Sequence, residues 1–357
     1  MKDMRKSVLS VFLVLLFAFS LSAQGEKKVL TLEDYPQWKH ILSPAISADG
    51  NWVSHSLRPN GGDATMSIIS LLSDKKYEIP YGSGAKFSED SRWAAYLIGV
   101  SKEEAKKLQK DKKPVPRKGE LLNLETGDKY TVENTAAVGF SKNSKFLTVK
   151  KAVQDKAAKH KGTDLVLRNL ETSLSQNIGN VGEYLFNKPG TMLAYTVDAA
   201  NKEGNGVYLM KLLSGRFVPM DTGKADYAQI AWDKEGTALA FLRGKLEKDS
   251  WERDNVLLAF TGLEGESFTR FEYDPSKDPE FPENMVISER IMPQRRRRPG
   301  SSPPSQNRAL IWSKDLSRIF CGIKEQEKKS EQAVNKTYND VLYYFFTAHF
   351  SRISSII

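Results

Sequence analysis

The sequence has 357 residues, of which 40% are hydrophobic and 27% are charged, and its formal net charge is +9. This balance is typical of a folded globular protein and excludes disorder as the general state of the chain. Lysine and glutamate are mixed along the sequence, apart from the run Arg295 to Arg298, so the charge argues only weakly for nucleic acid and none is predicted as a partner. The one cysteine, Cys321, excludes an internal disulfide and a four-thiolate metal site, and it is predicted to be buried in a strand.

The N-terminus has the organisation of an export signal. Lys2, Arg5 and Lys6 precede an almost entirely apolar run over residues 8–21, and small residues follow up to Ala23. The apolar run is shorter than the roughly 20 residues that a membrane span needs. Residues 1–23 are therefore predicted to be a cleaved signal peptide, with an uncleaved anchor as the alternative, and the mature chain is expected to be periplasmic or secreted without a membrane span.

One pattern recurs along the mature chain. An apolar residue is followed by Ser, Asn or Asp, then by a polar turn, and then by a strand that ends in aromatic and small residues. Its second residue falls at 47, 88, 141, 187, 233 and 313, and most of these steps are near the period of about 40 to 50 residues of propeller blades. The turns contain Asp-Gly, Asn-Ser and Pro-Gly, which are typical of hairpins.

A second hairpin follows the first in most units, as at Glu125-Thr126-Gly127. Two hairpins per unit make the four strands of one blade. The predicted fold is therefore all-β: a β-propeller with WD-like repeats and about six recognisable blades, the last of them incomplete. The blades are placed at residues 46–330 after an entry segment at 24–45, and a β-sandwich is the alternative.

Charged insertions follow the second strand of several units, at residues 101–118, 150–161, 245–253 and 324–329. The first begins Ser101-Lys102-Glu103-Glu104, which is a capping box, and predicts a short helix that ends near Pro114. All of these loops are expected on one face of the propeller. Solvation is favoured over a binding role for this Lys- and Glu-rich face.

No catalytic, cofactor-binding or metal-binding residue is predicted. Gly265-Glu266-Ser267 and Gly139-Phe140-Ser141 are only half matches to the Gly-x-Ser-x-Gly nucleophile elbow, and both are interpreted as structural turns. A His-Glu-x-x-His zinc pattern is absent from the sequence. The four histidines lie outside recognisable motifs: His40, His55, His160 and His349. Three acidic residues lie among prolines in what is interpreted as a turn-rich connection: Asp274, Asp278 and Glu280.

Two segments do not fit a blade. Residues 292–306 are rich in Arg and Pro and are predicted by composition to be a disordered surface loop. Residues 331–357 are an atypical tail, and its run at 341–346 is apolar at every position. Such a run has the signature of an aggregating strand, so the isolated chain is expected to self-associate through this end.

The export signal, the entry segment from Leu32 to Trp38 and the blade pattern together resemble the N-terminal half of secreted prolyl oligopeptidase family serine peptidases of Gram-negative bacteria. In that family an α/β-hydrolase domain carries the catalytic triad, and the propeller limits access for large substrates. The resemblance covers roughly residues 1–330 and implies a peptide substrate or a missing hydrolase domain as partner. The chain resembles a truncated product that is inactive by itself.

Two other functions are weighed against this one. A free-standing periplasmic propeller, similar to Tol-system propellers, would act as a protein-binding module. A propeller enzyme such as a lyase or a lactonase would need clustered metal ligands or acid–base pairs, and the sequence shows none.

Export is tested by cell fractionation followed by N-terminal sequencing. Because the small-residue site ends at Ala23, we expect the chain in the periplasmic fraction to begin at Gln24 or an adjacent residue. Full-length protein beginning at Met1 in the cytoplasm would contradict the prediction.

Overall fold

The computed structural model describes residues 30–153, 160, 162–289, 310–326 and, for the backbone only, 344–349. The predicted signal peptide, the Arg/Pro-rich loop at 292–306 and the rest of the tail lie outside the described residues. Among the residues described, no helix is long and apolar enough to cross a membrane.

Three of the sheets contain four consecutive antiparallel strands in chain order and form blades 1, 2 and 5. Their strands are β1 (Lys39–Ile46), β2 (Trp52–Pro59), β3 (Thr65–Ser70) and β4 (Lys76–Pro80); β5 (Gly82–Phe87), β6 (Trp93–Ile98), β7 (Lys118–Asn123) and β8 (Lys129–Val132); and β16 (Asp226–Trp232), β17 (Leu239–Lys245), β18 (Asp254–Thr261) and β19 (Thr269–Tyr273).

Blades 3 and 4 share one continuous seven-stranded sheet. The shared strand is 12 residues long; it pairs with blade 3 through Ser175 to Val181 and with blade 4 through Val181 to Phe186. It therefore serves as the fourth strand of one blade and the first strand of the next. The strands of this sheet are β9 (Thr135–Phe140), β10 (Phe146–Lys151), β11 (Thr163–Asn169), β12 (Ser175–Phe186), β13 (Met192–Val197), β14 (Gly206–Lys211) and β15 (Arg216–Thr222).

Blade 6 has an interrupted first strand. β20 (Met285–Ile287) and β21 (Ile311–Trp312) both pair with the same strand, β22 (Arg318–Glu325), and β23 (Tyr344–His349) pairs with β22 as well. Ile287 lies opposite Ile323 and Ile311 lies opposite Phe320, so β20 and β21 are two halves of one strand. The long step in the repeat thus comes from an insertion inside this strand.

The predicted fold, an all-β propeller of four-stranded blades, is confirmed. The first blade begins with β1 at Lys39, inside the predicted entry segment, because the repeated pattern starts at the turn and does not include the strand before it. The last blade reaches beyond residue 330, because the apolar run of the predicted tail supplies β23.

The predicted helix is α1 (Lys102–Lys110), which ends just before Asp111. The Ser101 hydroxyl accepts a hydrogen bond from the Glu104 N–H at 3.1 Å, and Glu103 and Glu104 occupy the first turn. Both features stabilise a helix N-terminus. Two short 3-10 turns lie at Tyr35–Gln37 and Pro275–Lys277.

The second residue of the repeated pattern makes the same pair of bonds in all six blades. Its backbone N–H donates to the carbonyl five residues later, and its side-chain oxygen accepts the N–H of that same residue. In blade 1, Ser47 and Trp52 are joined by both bonds at 2.9 Å, and in blade 4 Asn187 and Met192 are joined at 3.0 and 2.8 Å. The other pairs are Ser88 with Trp93, Ser141 with Phe146, Asp233 with Ala238, and Ser313 with Arg318.

The residue three positions after this second residue has a positive φ in every blade, as at Gly50 (+75°) and Gly236 (+80°). Gly236 is also required by space, since an added Cβ would lie 2.6 Å from the Lys188 backbone nitrogen. At Leu316 the same conformation (+59°) is adopted by a leucine, which costs more than glycine.

These turns also bond to one another from blade to blade. The Asp49 N–H donates to the Ser91 hydroxyl at 3.1 Å, and the Asp90 N–H donates to the Ser144 hydroxyl at 2.9 Å. Farther along, the Asn143 and Asn187 amides donate to the carbonyls of glycines in the next turns, Gly190 and Gly236. Polar groups of these turns therefore link blades 1 to 5 in chain order.

Neighbouring blades bury five apolar clusters between their faces. Between blades 4 and 5, for example, Leu209 packs with Phe241 and Phe260, whose stacked rings are 5.6 Å apart. Within the part of the chain that the structure describes, no such cluster joins blade 6 to blade 1. The described blades thus stack in a row that follows the sequence.

We expect Ser141→Ala to lower the free energy of unfolding by about 1–3 kcal/mol, because it removes a buried hydroxyl that accepts the Phe146 N–H. Urea unfolding measures the change. Ser214→Ala, in an exposed turn between β14 and β15, is the matched control and should stay within about 0.5 kcal/mol of the unmodified protein. Equal losses in the two variants would show that the repeated turn has no special role.

Candidate functional site

The first strands of the blades form the inner wall of the molecule. β1 packs against β5 and β12 packs against β16, so these strands converge. Each of the four strands is broken by a β-bulge, for example between Ser83 and Lys86 in β5 and between Ala228 and Ala231 in β16. A bulge leaves backbone groups without ladder partners at the wall.

Side chains of the preceding blade bond to carbonyls next to this irregular stretch. The Ser56 hydroxyl donates to the Gly82 carbonyl at 3.1 Å, and the Asn255 amide donates to the Ile287 carbonyl at 2.9 Å. The Lys150 ammonium donates to the carbonyls of Val181 and Thr163. The inner wall is therefore held by polar contacts between blades as well as by apolar packing.

In blade 6 the insertion stands where the other blades have the bulge. In blade 5, the bulge residues Gln229 and Ile230 lie between the paired positions Ala228 and Ala231. In blade 6, residues 288–310 lie between the paired positions Ile287 and Ile311. The chain thus leaves this strand after Ile287 and returns to it at Ile311, which the sequence pattern did not indicate.

A cluster of charged groups connects blades 4, 5 and 6 near this position. The Lys202 ammonium lies 2.8 Å from the Asp226 carboxylate, and the Arg253 Nε lies 3.1 Å from the same oxygen. Arg253 also pairs with Glu289 through its NH1. Each cation of this group thus has a carboxylate partner, so the cluster braces three blades.

Glu183 is an acidic residue of the inner wall whose pKa is altered by its surroundings. Enclosure by the surrounding protein raises the pKa of its carboxyl, and the charge of Glu289 acts in the same direction. The N–H of Ile230, at 3.3 Å, and that of Gln229 oppose the rise in pKa. The Glu183 side chain is exposed, so its carboxyl can accept hydrogen bonds from a ligand at the wall.

A second charged cluster ties blade 4 to blade 5. Asp221 accepts the Tyr227 hydroxyl at 2.8 Å and lies 3.3 Å from Arg243 and 3.0 Å from Arg270. Both arginines also bond to Glu272 at 2.9 Å. No sequence pattern indicated this cluster, because its members come from four strands and form no spaced motif.

The serines of the two half-matched elbow motifs have structural positions. Ser141 is fully buried in the repeated turn and donates to Asn143 at 2.7 Å, and Ser267 is exposed in the turn before β19. The ring of His40 bonds to Asn60 at 2.7 Å. Among the residues described, no hydrogen bond joins a serine to a histidine, and no group of three or more His, Cys, Asp or Glu is arranged to hold a metal ion.

The aspartates that follow β19 accept hydrogen bonds from residues close to them in the sequence. Asp274 accepts both the N–H and the hydroxyl of Ser276, at 3.1 and 2.7 Å. Asp278 accepts the Tyr273 hydroxyl at 2.8 Å. Cys321 is buried in β22, as predicted, and burial raises the pKa of its thiol to about 12, which keeps the thiol protonated and unreactive.

The charged loop at residues 101–118 contacts two neighbouring connections. The Lys102 N–H donates to Asp63 in the neighbouring loop at 2.7 Å, and Lys118 pairs with Glu133 at 2.9 Å. Parts of two of these loops, residues 154–159 and 327–329, lie outside the described residues. Where described, the loops connect neighbouring blades.

No protein-family model and no curated protein matches the sequence. Among solved structures, the chain is similar to the β-propeller domain of the Trilobed protease from Pyrococcus furiosus, with 10% identity, a TM-score of 0.37, and coverage of 87% of this chain and 84% of that one. It is also similar to a Pyrococcus horikoshii acylaminoacyl peptidase, with 11% identity, a TM-score of 0.36, and coverage of 82% of this chain and 46% of that one. The chain thus spans less than half the length of that peptidase. A third similar structure is an oligogalacturonate lyase in complex with manganese, with 10% identity, a TM-score of 0.41, and coverage of 80% of this chain and 73% of that one.

Lys150 gives a pH-dependent prediction. Burial lowers the pKa of its amine to about 8, while the charges of Asp164 and Asp198 oppose that shift. Between pH 8 and the ordinary lysine pKa of about 10.4, the folded chain binds fewer protons than the unfolded chain, so this group's contribution to stability rises with pH.

We therefore expect the unfolding free energy of the unmodified protein, relative to Lys150→Met, to increase from pH 8 to pH 10. The increase should stay below about 1.4 kcal/mol per pH unit, because the amine is partly exposed. Denaturant unfolding at several pH values measures it, with Lys151→Met as the neighbouring control. If the unfolding free energy of the unmodified protein relative to Lys150→Met instead falls as the pH rises, the hydrogen bonds to the carbonyls keep the Lys150 amine charged.

Proposed function

We propose that the chain is the non-catalytic propeller portion of an exported prolyl oligopeptidase-like serine peptidase. Its role would be to bind peptide or limit its access to an α/β-hydrolase domain that carries the catalytic groups. Support comes from the family resemblance of the export signal, the entry segment and the blade pattern. Among the described residues, Ser141 and Ser267 lie in structural turns, and the His40 ring bonds to Asn60.

The entry segment is the observation that carries the proposal. The Asn60 N–H donates to the Trp38 carbonyl at 2.9 Å, the Asn60 amide donates to the Tyr35 carbonyl at 3.0 Å, and the Gly61 N–H donates to the Pro36 carbonyl at 3.0 Å. This loop of blade 1 fixes the segment, yet the side chains of Tyr35 and Trp38 stay 57% and 49% exposed.

Rigid, exposed aromatic side chains are the residues that most often anchor a protein interface. The Tyr35 and Trp38 rings are 5.7 Å apart and lie on the face that carries the charged loops. We infer that this pair contacts the hydrolase domain. In a free-standing binding module, the same pair would contact a separate protein.

A serine-reactive fluorophosphonate probe tests the lack of peptidase chemistry. Because none of the described serines has a histidine partner, we expect no specific labelling of the purified chain, with an active serine hydrolase as the positive control. Labelling that one serine-to-alanine substitution abolishes would overturn the proposal.

The DNA immediately downstream of the coding sequence separates the two roles. A reading frame that encodes an α/β-hydrolase would support the peptidase propeller. An unrelated gene there would favour the free-standing periplasmic binding module.

A further inference from the structure

The connection between β6 and β7, which contains α1, is strongly basic. Residues 102–118 hold eight Lys and Arg against three Asp and Glu, so their net charge is +5, more than half of the +9 of the whole chain. All eight basic side chains are exposed. Two of the three acidic residues, Glu103 and Glu104, occupy the first turn of α1, where a negative charge stabilises the helix. The positive charge is therefore concentrated in the rest of the connection.

The helix α1 rests on the molecule by one side. Ala105 and Leu108 are half-buried, and the other seven residues of the helix are exposed. Residues three or four apart share a side of a helix, so Ala105 and Leu108 face the body of the protein. Lys106 and Lys110, which are four apart, and Lys107 beside them lie on the side turned away from the body.

Both ends of α1 are fixed by hydrogen bonds. Its first N–H donates to the Asp63 carboxylate at 2.7 Å. Beyond its C-terminal end, the N–H groups of Lys112 and Lys113 donate back to carbonyls of the last turn, at 3.1 and 2.8 Å. This closing turn holds two more lysines next to those of the helix. The five form the lysine patch: Lys106, Lys107, Lys110, Lys112 and Lys113.

The ammonium groups of the lysine patch have no ion pair or hydrogen bond within the part of the chain that the structure describes. Most other lysines there do have a carboxylate or carbonyl partner, as Lys188 has in Glu235 at 2.7 Å. Lys106 and Lys110 carry like charges four residues apart, an arrangement that weakens a helix. An anionic partner would remove this repulsion.

We propose that the lysine patch docks the protein on the surface of a membrane that contains anionic lipids, by contact with the lipid phosphates. Because most of α1 is exposed, the patch is convex, and it suits a flat array of phosphates better than a ligand that must be enclosed. Clusters of four to eight basic residues on an amphipathic helix are typical of binding to anionic lipids. The apolar side of α1 is turned to the protein, so the contact is electrostatic.

An electrostatic contact of this kind depends on ionic strength and on the number of lysines. The Debye length falls from about 10 Å at 0.1 M salt to about 3 Å at 1 M, so binding should be lost at high salt. Each lysine near an anionic surface contributes a factor of about five to the affinity. Removal of three charges should therefore weaken binding about a hundredfold.

Co-sedimentation with lipid vesicles tests the proposal. The unmodified chain should bind vesicles of phosphatidylglycerol and phosphatidylcholine in low salt, and it should bind neither pure phosphatidylcholine vesicles nor the mixed vesicles in about 1 M sodium chloride. The variant with Lys106→Gln, Lys110→Gln and Lys113→Gln should lose about a hundredfold in affinity. Glutamine and lysine have similar helix propensities, so α1 is kept.

A matched variant controls for net charge. Lys224→Gln, Lys234→Gln and Lys314→Gln together remove the same three charges from exposed positions outside the patch, and this variant should bind like the unmodified chain. Thermal unfolding verifies that both triple variants are folded. Equal losses in the two variants would overturn the proposal, since binding would then follow net charge alone.

Two further outcomes would also overturn it. One is failure of the unmodified chain to bind the anionic vesicles in low salt. The other is binding to soluble poly-glutamate through the patch without any binding to vesicles, which would assign the patch to an acidic protein partner.

Discussion

A single hydrogen-bond pattern determines the geometry of every blade. A short polar side chain at the start of the turn accepts the backbone N–H five residues later, while its own N–H bonds to the carbonyl of that residue. Ser, Asn and Asp all reach this N–H, which explains why the chain uses the three interchangeably. Because the same turns also bond to the next turn, the pattern sets the spacing between blades as well as the path of each hairpin.

Apolar packing then follows from this spacing. Each sheet offers one face to the blade before it and the other to the blade after it, so an interior blade buries both. Blades 2 to 5 each share a buried apolar cluster with both of their neighbours in the chain.

The sequence was sufficient to predict what depends on local patterns. The repeated turn, the α1 helix with its Ser101 cap and the buried Cys321 each follow from neighbouring residues or from a period. The strand β1 was missed because it precedes the first turn, and the split first strand of blade 6 was missed because its halves are far apart in sequence. The Asp221 cluster and the Lys150 contacts could not be predicted, since they depend on which strands become neighbours.

Hydrogen exchange of individual amides tests the central claim, that the turn side chains hold the blades. The N–H groups of Trp93, Phe146, Met192 and Ala238 each bond to the side chain that starts their turn. We predict that these four amides of the interior blades exchange slowly and together, at rates set by unfolding of the whole set of blades. Rapid exchange at any of them in the native protein would contradict it.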